Sequence, residues 1–169
     1  MTKSLKLQTT SYISSARLYV GETESERDSL HSELGEVEVS TVANYNKKRP
    51  NEDSAAVIPV NGHALVLVVA DGVGGLPGGR AASNTAVETV CEIVSKATDK
   101  NLRSAILDGI EKTNQKLLAQ GNGSATTIAI AEIRRGIVRS YHVGDSGIWV
   151  CGQRGLIKMQ TTAHSPVGF

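Results

Sequence analysis

Ala64-Leu65-Val66-Leu67-Val68-Val69-Ala70-Asp71-Gly72-Val73-Gly74-Gly75 runs seven apolar residues straight into an aspartate and a glycine-rich loop. A short apolar run of this kind reads as a strand buried on both faces. A carboxylate at the tip of such a strand is held rigidly. The glycines behind it leave backbone carbonyl and N–H groups open to a ligand. The combination suits a metal ion or a phosphate.

Working outward, Ser54–Val60 reads as a second strand, closed by the turn Asn61-Gly62, so 54–70 forms a hairpin. Upstream, Val37, Val39, Thr41 and Ala43 alternate with their neighbours as a half-buried strand does, and 44–50 is a polar, basic loop. Downstream, Ala82, Ala86, Val87, Val90, Cys91, Ile93, Val94 and Ala97 recur at helical steps, as do Leu102, Ala105, Ile106, Ile110, Thr113 and Leu117. Asp99 or Asn101 suits the start of the second helix and Gly121 its end. Strands return at 124–133, 137–143, 148–151 and 156–159. Strands flanking a helix pair predict an α+β fold with mostly antiparallel sheets, the one-sided helices lying on a sheet. Residues 1–35, rich in Ser, Thr and Glu, read as a partly flexible N-terminal extension in which Leu5, Leu7, Tyr12, Ile13, Leu18, Tyr19 and Val20 could supply a strand or a docking segment, and 36–169 as the domain.

The composition narrows the function. A net charge of +1 and 4% aromatics give no nucleic-acid surface and no base-stacking platform. No apolar run reaches membrane-spanning length, and the N-terminus lacks a signal-peptide core. Cys91 and Cys151 sit in apolar runs and read as buried core thiols of a reducing compartment, with the cytoplasm as the expected location.

Acidic residues stand at three strand ends: Glu52-Asp53, Asp71 and Asp145. Clustered carboxylates repel, so a cluster implies a cation, and an all-oxygen set favours Mg²⁺ or Mn²⁺ over zinc. Turn-forming acids give the same pattern without a metal. The glycine loop is neither a P-loop nor a dinucleotide fingerprint, because no Gly-Lys-Ser/Thr follows and Leu76-Pro77 interrupts it. His63 and His142 read as core or surface residues.

The motifs come in a telling order: Asn51-Glu52-Asp53, Val69-Ala70-Asp71-Gly72-Val73-Gly74-Gly75, Gly123-Ser124-Ala125-Thr126-Thr127, Val143-Gly144-Asp145-Ser146 and Thr162-Ala163-His164-Ser165. Over residues 36–169 this resembles the metal-dependent protein serine/threonine phosphatase family, the PPM or type 2C class, in its bacterial form. The resemblance implies a four-layer α-β-β-α sandwich, here C-terminally incomplete, with 36–169 as its N-terminal two-thirds. It implies a centre of two Mn²⁺ or Mg²⁺ ions with a third, looser site. Asp71 matches the bridging aspartate, Gly72 the residue whose carbonyl joins the shell, Glu52 and Asp53 the supporting acidic pair, and Asp145 the aspartate of the third site. Residues 123–127 and His164 match structural positions.

The implied reaction is hydrolysis of phosphoserine or phosphothreonine by a metal-activated water, needing no cysteine nucleophile. The implied partners are phosphoproteins and an opposing Ser/Thr kinase. There are two departures from the pattern. Where the family has a phosphate-gripping Arg, this chain has Lys48, with Arg49 one residue closer to Asp53. Lys is a point charge where Arg is a bidentate clamp, so either Arg49 takes the role through a shifted loop or the grip is weaker. The later Ser-Asp-Gly aspartate and final Asp-Asn pair are absent from these 169 residues. That leaves a second expectation beside the enzyme: a weak or inactive phosphatase-like module that binds phosphoproteins or associates through an unpaired sheet edge.

Overall fold

The structure is a computed structural model that describes residues 11–20, 26–42, 51–73 and 78–164. Its strands are β1 (Ser11–Tyr12), β2 (Arg17–Val20), β3 (Glu26–Ser32), β4 (Gly35–Thr41), β5 (Asp53–Val60), β6 (Ala64–Asp71), β7 (Ile128–Arg134), β8 (Ile137–Val143), β9 (Trp149–Cys151) and β10 (Ile157–Gln160). Its helices are α1 (Gly79–Val94) and α2 (Leu102–Gln120). The fold is α+β.

The frame is a five-stranded sheet in the order β2-β5-β6-β7-β8, antiparallel throughout. The β5–β6 hairpin was expected, and its turn explains its register. Asn61 and Gly62 both take positive φ, 49° and 69°, as a tight hairpin turn demands, and His63 N–H donates to the Val60 carbonyl. That register sets Asp53 opposite Asp71 at the far end of the hairpin.

The helices cover one face. Ala64, Val66, Val68 and Ala70 point toward them and join Ala86, Val87, Val90, Val94, Leu102 and Ile106 in the larger core. α1 and α2 pack closely where Gly109 meets Val90: a Cβ built on Gly109 would lie 3.2 Å from Val90 Cγ2. The other face of the sheet meets a second sheet in the order β1-β3-β4, with β1 parallel to β3. Ile13, Tyr19, Leu30, Val57 and Leu65 fill the space between the sheets. β9 and β10 form a separate two-stranded hairpin.

Three readings change. Residues 1–35 are not set apart where they are described. β2 pairs with β5, β3 pairs with β4, and Ile13, Tyr19 and Leu30 are buried. The partner of β2 lies far along the chain, so the strand that Leu18, Tyr19 and Val20 suggested takes its place only through β5, while β3 pairs with its neighbour β4 across a short turn. β6 is buried on both faces only in its first half, because a cleft opens between the two sheets at Val69, which is 49% exposed. Cys91 is buried as expected, but Cys151 is exposed, since nothing described covers its side of the β9–β10 hairpin. Among the described residues β2 and β8 end the five-stranded sheet, and Ile137, Val138 and Val143 on β8 are exposed. No helix among the described residues is long and apolar enough to cross a membrane.

Candidate functional site

β5 and β6 lead their last polar residues to one end of the sheet. Asp53 and Asp71 face each other there, at one end of a cleft of about 440 Å³ between the two sheets. Thr41, Val39, Val57, Val69 and Ser146 also line it. Burial raises the Asp71 carboxyl above its ordinary pKa. The charge of Asp53, the carboxyl–carboxyl hydrogen bond to it, and the charge of Asp145 push the same way. Asp71 is therefore a strand-end acid whose neighbours all disfavour its ionised form.

Its backbone is clamped. Thr127 Oγ1 accepts from the Asp71 N–H at 3.0 Å, while the Thr126 hydroxyl and the Thr127 N–H donate to the Asp71 carbonyl at 2.9 and 2.8 Å. The Thr127 and Ser146 hydroxyls are 2.6 Å apart, which ties the Asp145 turn to the same strand end. Gly72 is wedged between chains. Its N–H donates to the Glu52 carbonyl at 3.0 Å, and it forms a β-bridge to Thr126. A Cβ there would lie 2.2 Å from the Gly79 carbonyl oxygen.

Not every expected residue joins the cluster. Glu52 turns its carboxylate toward Gly79 at the start of α1 and does not line the cleft. Asp145 acts through its charge. Lys48 and Arg49, and likewise Gly74 to Pro77, lie outside the described residues. His142 stacks on His164 with ring centroids 4.3 Å apart and its Nε2 lies 2.8 Å from the Thr162 carbonyl oxygen, which is a structural tie. His63 is exposed.

The sequence reading missed a buried polar brace under α1. The Ser83 hydroxyl, fully buried, donates to the Glu52 carbonyl and lies 3.1 Å from the Ser54 hydroxyl, which donates to Asn84 Oδ1 at 2.7 Å. The signal was a serine inside the apolar stripe Ala82–Ala86. Ser83→Ala leaves the Glu52 carbonyl without that donor, so a loss of about 1–2 kcal/mol is expected in a urea melt, since an unmade buried hydrogen bond costs about that much.

The donor set is all oxygen, it repels itself, and it sits at the end of a cleft. That fits a hard divalent cation. Among the described residues, however, no group of three or more His, Cys, Asp or Glu side chains is close enough to hold an ion between them. The described carboxylates alone do not make a complete ligand set.

Residues 42–165 match a family model described as Protein phosphatase 2C. Among solved structures, the chain is similar to the serine/threonine phosphatase Stp1 from Staphylococcus aureus, at 20% identity and a TM-score of 0.63, covering 96% of this chain and 57% of that one. It is similar to a bacterial serine phosphatase at 23% identity and a TM-score of 0.63, covering 89% of this chain and 55% of the other. A third, the serine/threonine phosphatase PstP/Ppp of Mycobacterium tuberculosis, gives 20% identity and a TM-score of 0.53, covering 87% of this chain and 54% of that one. The chain thus spans little more than half the length of these structures. Curated protein sequences gave no match.

Proposed function

Because the chain belongs to the protein phosphatase 2C family, whose members are hydrolases, we propose that it carries the Asp53–Asp71 part of a metal centre that hydrolyses phosphoserine and phosphothreonine in proteins. The carrying observation is the strand register that faces Asp53 with Asp71, with the Asp145 charge beside them. Asp71, with the Gly72 carbonyl, would be among the residues that hold the Mn²⁺ or Mg²⁺ ions. Asp53 would support the same ions with its carboxylate, Asp145 would serve a third, looser site, and Glu52, whose carboxylate faces Gly79, would contribute only once it turned toward the cleft. Arg49 or Lys48 grips the phosphate. The protein works in the cytoplasm opposite a Ser/Thr kinase.

Bound divalent ions would supply an activated water at neutral pH and offset charge on the phosphoryl oxygens. The chain's own residues do the positioning. Thr126 and Thr127 hold the Asp71 backbone, and Ser83 holds the Glu52 peptide, so the chain beneath the acidic end of the sheet is fixed before an ion arrives. The cleft between the sheets brings a phosphorylated side chain toward Asp53 and Asp71.

The partial shell favours a second reading, a module that binds phosphoproteins without turning them over. One experiment separates the two: phosphate release from a phosphoserine peptide with added Mn²⁺, repeated after EDTA, alongside binding of the same peptide. Release that needs Mn²⁺ and stops with EDTA supports the phosphatase. Binding without release supports the module. Release that ignores EDTA overturns both.

A further inference from the structure

A second polar cluster lies at the opposite end of the sheet. β7 buries Glu132, 2% exposed, on the helix-covered face opposite Val66. A buried carboxylate must be paired, and this one is paired more than once. Arg139 Nη1 donates to both its oxygens, at 3.1 and 3.2 Å. Arg134 Nε stands 3.6 Å from Oε1, and the Tyr141 hydroxyl donates to Oε2 at 2.6 Å. The turn between α1 and α2 closes the cluster from above: Arg134 donates to the Asp99 carbonyl, and Arg135 pairs with the Asp99 carboxylate at 3.3 Å.

These residues and Lys100 surround a cavity of about 350 Å³. Its walls carry Lys100, Arg134, Arg135 and Arg139 against Asp99 and Glu132, four cations to two anions, a surplus of two positive charges. The donors are not used up. Arg134 Nη2 and Lys100 Nζ have no partner among the described residues, whereas Arg139 is also hydrogen-bonded to Tyr141. Glu132 therefore acts as a buried post that holds two guanidinium groups side by side, with a free Arg134 N–H and the Lys100 ammonium beside them. A planar fork matches phosphate oxygens in pairs, and the excess charge matches a dianion.

We infer that this cavity is a metal-independent binding site for a phosphate-type oxyanion, separate from the acidic end of the sheet. Ala64 pairs with Arg134, and Asp71 lies seven residues further along β6, so the two sites stand about 23 Å apart at the rise of a strand. The oxyanion is either free phosphate or a phosphoryl group carried on a peptide. The inference does not depend on the metal reading.

The test is a calorimetric titration in EDTA, at low salt, of inorganic phosphate, sulfate, a phosphoserine peptide and its unphosphorylated form. The same titrations are run on the Lys100→Gln/Arg135→Gln variant, whose positions are exposed and whose melting temperature is expected to match the parent. Saturable phosphate binding that weakens at least tenfold in the variant supports the site. A phosphopeptide that binds tighter than free phosphate supports a peptide-borne group, and equal or weaker binding supports the free ion. No saturable binding of phosphate or phosphopeptide overturns the proposal. So does binding the variant leaves unchanged, or binding of the unphosphorylated peptide that equals the rest.

Discussion

Asp71→Asn is expected to weaken Mn²⁺ binding by more than about 100-fold, since removing even an outer-shell partner of a metal site costs about 10–100-fold, and to leave the fold intact. The backbone clamp from Thr126 and Thr127 does not involve the side chain, so the strand end keeps its place. The stability change separates a ligand from a structural acid. Asp71 has a folded pKa raised above its unfolded value. Such a group contributes stability that is fully present below the unfolded pKa and is lost as pH rises through the folded one. At neutral pH without metal the ionised side chain is therefore a burden. The Asn variant in EDTA is expected to melt at or above the temperature of the parent, the difference fading as pH falls through the carboxylate range. With Mn²⁺ added the order reverses. Ligand at 100 times its dissociation constant stabilises by about 2.7 kcal/mol, and only the parent gains it. A variant that melts lower than the parent in EDTA at pH 7, with metal binding unchanged, would sink the assignment.

Gly72→Ala is expected to be the most destabilising change to the fold. No positive φ is involved at Gly72, so the problem is space alone. A methyl would sit 2.2 Å from the Gly79 carbonyl oxygen and 2.9 Å from that of Glu52, both of them backbone. Flexible side chains can yield, but a β-bridge and a helix start cannot without moving the acidic end of the sheet. Overpacking costs about 1–3 kcal/mol where neighbours adjust, so about 3 kcal/mol or more is expected, a large part of a typical stability of about 5–15 kcal/mol. Gly121→Ala serves as the control. Gly121 takes φ 63° but has nothing within 4 Å of a built Cβ, so it bears only the strain of a left-handed residue, about 1 kcal/mol. Chemical melts of both variants give the comparison, and equal losses would refute the spatial argument.

The sequence was most legible where structure is local. The Asn61-Gly62 turn, the alternation of 36–41 and the apolar stripes of both helices each carry their cause within a few residues, and all form as read. The hairpin was legible, but that Asp53 and Asp71 meet came only with its register. Features that depend on distant partners were not legible. β2 owes its place to β5, and the Glu52 carboxylate turns toward Gly79 because α1 begins there. Cys151 looked like a core residue because its neighbours are apolar, but burial is set by what covers a strand and not by its own composition. Glu132 drew no attention within an apolar strand, although a charge among alternating apolar residues is the sign of a buried pair.

The β5–β6 turn has a kinetic consequence. It joins Val60 to Ala64 through only three residues, so the hairpin closes at low cost in chain entropy and forms on a timescale of about 1–10 μs. The Asp53–Asp71 pair is thus among the earliest contacts the chain makes, ahead of β2 and β7, which must be recruited from far along the chain. Order of assembly also sets sensitivity to insertion. One residue added at the turn would rotate β6 by one position and swap its faces. That would turn Val66 and Val68 away from the helices and take Asp71 out of register with Asp53.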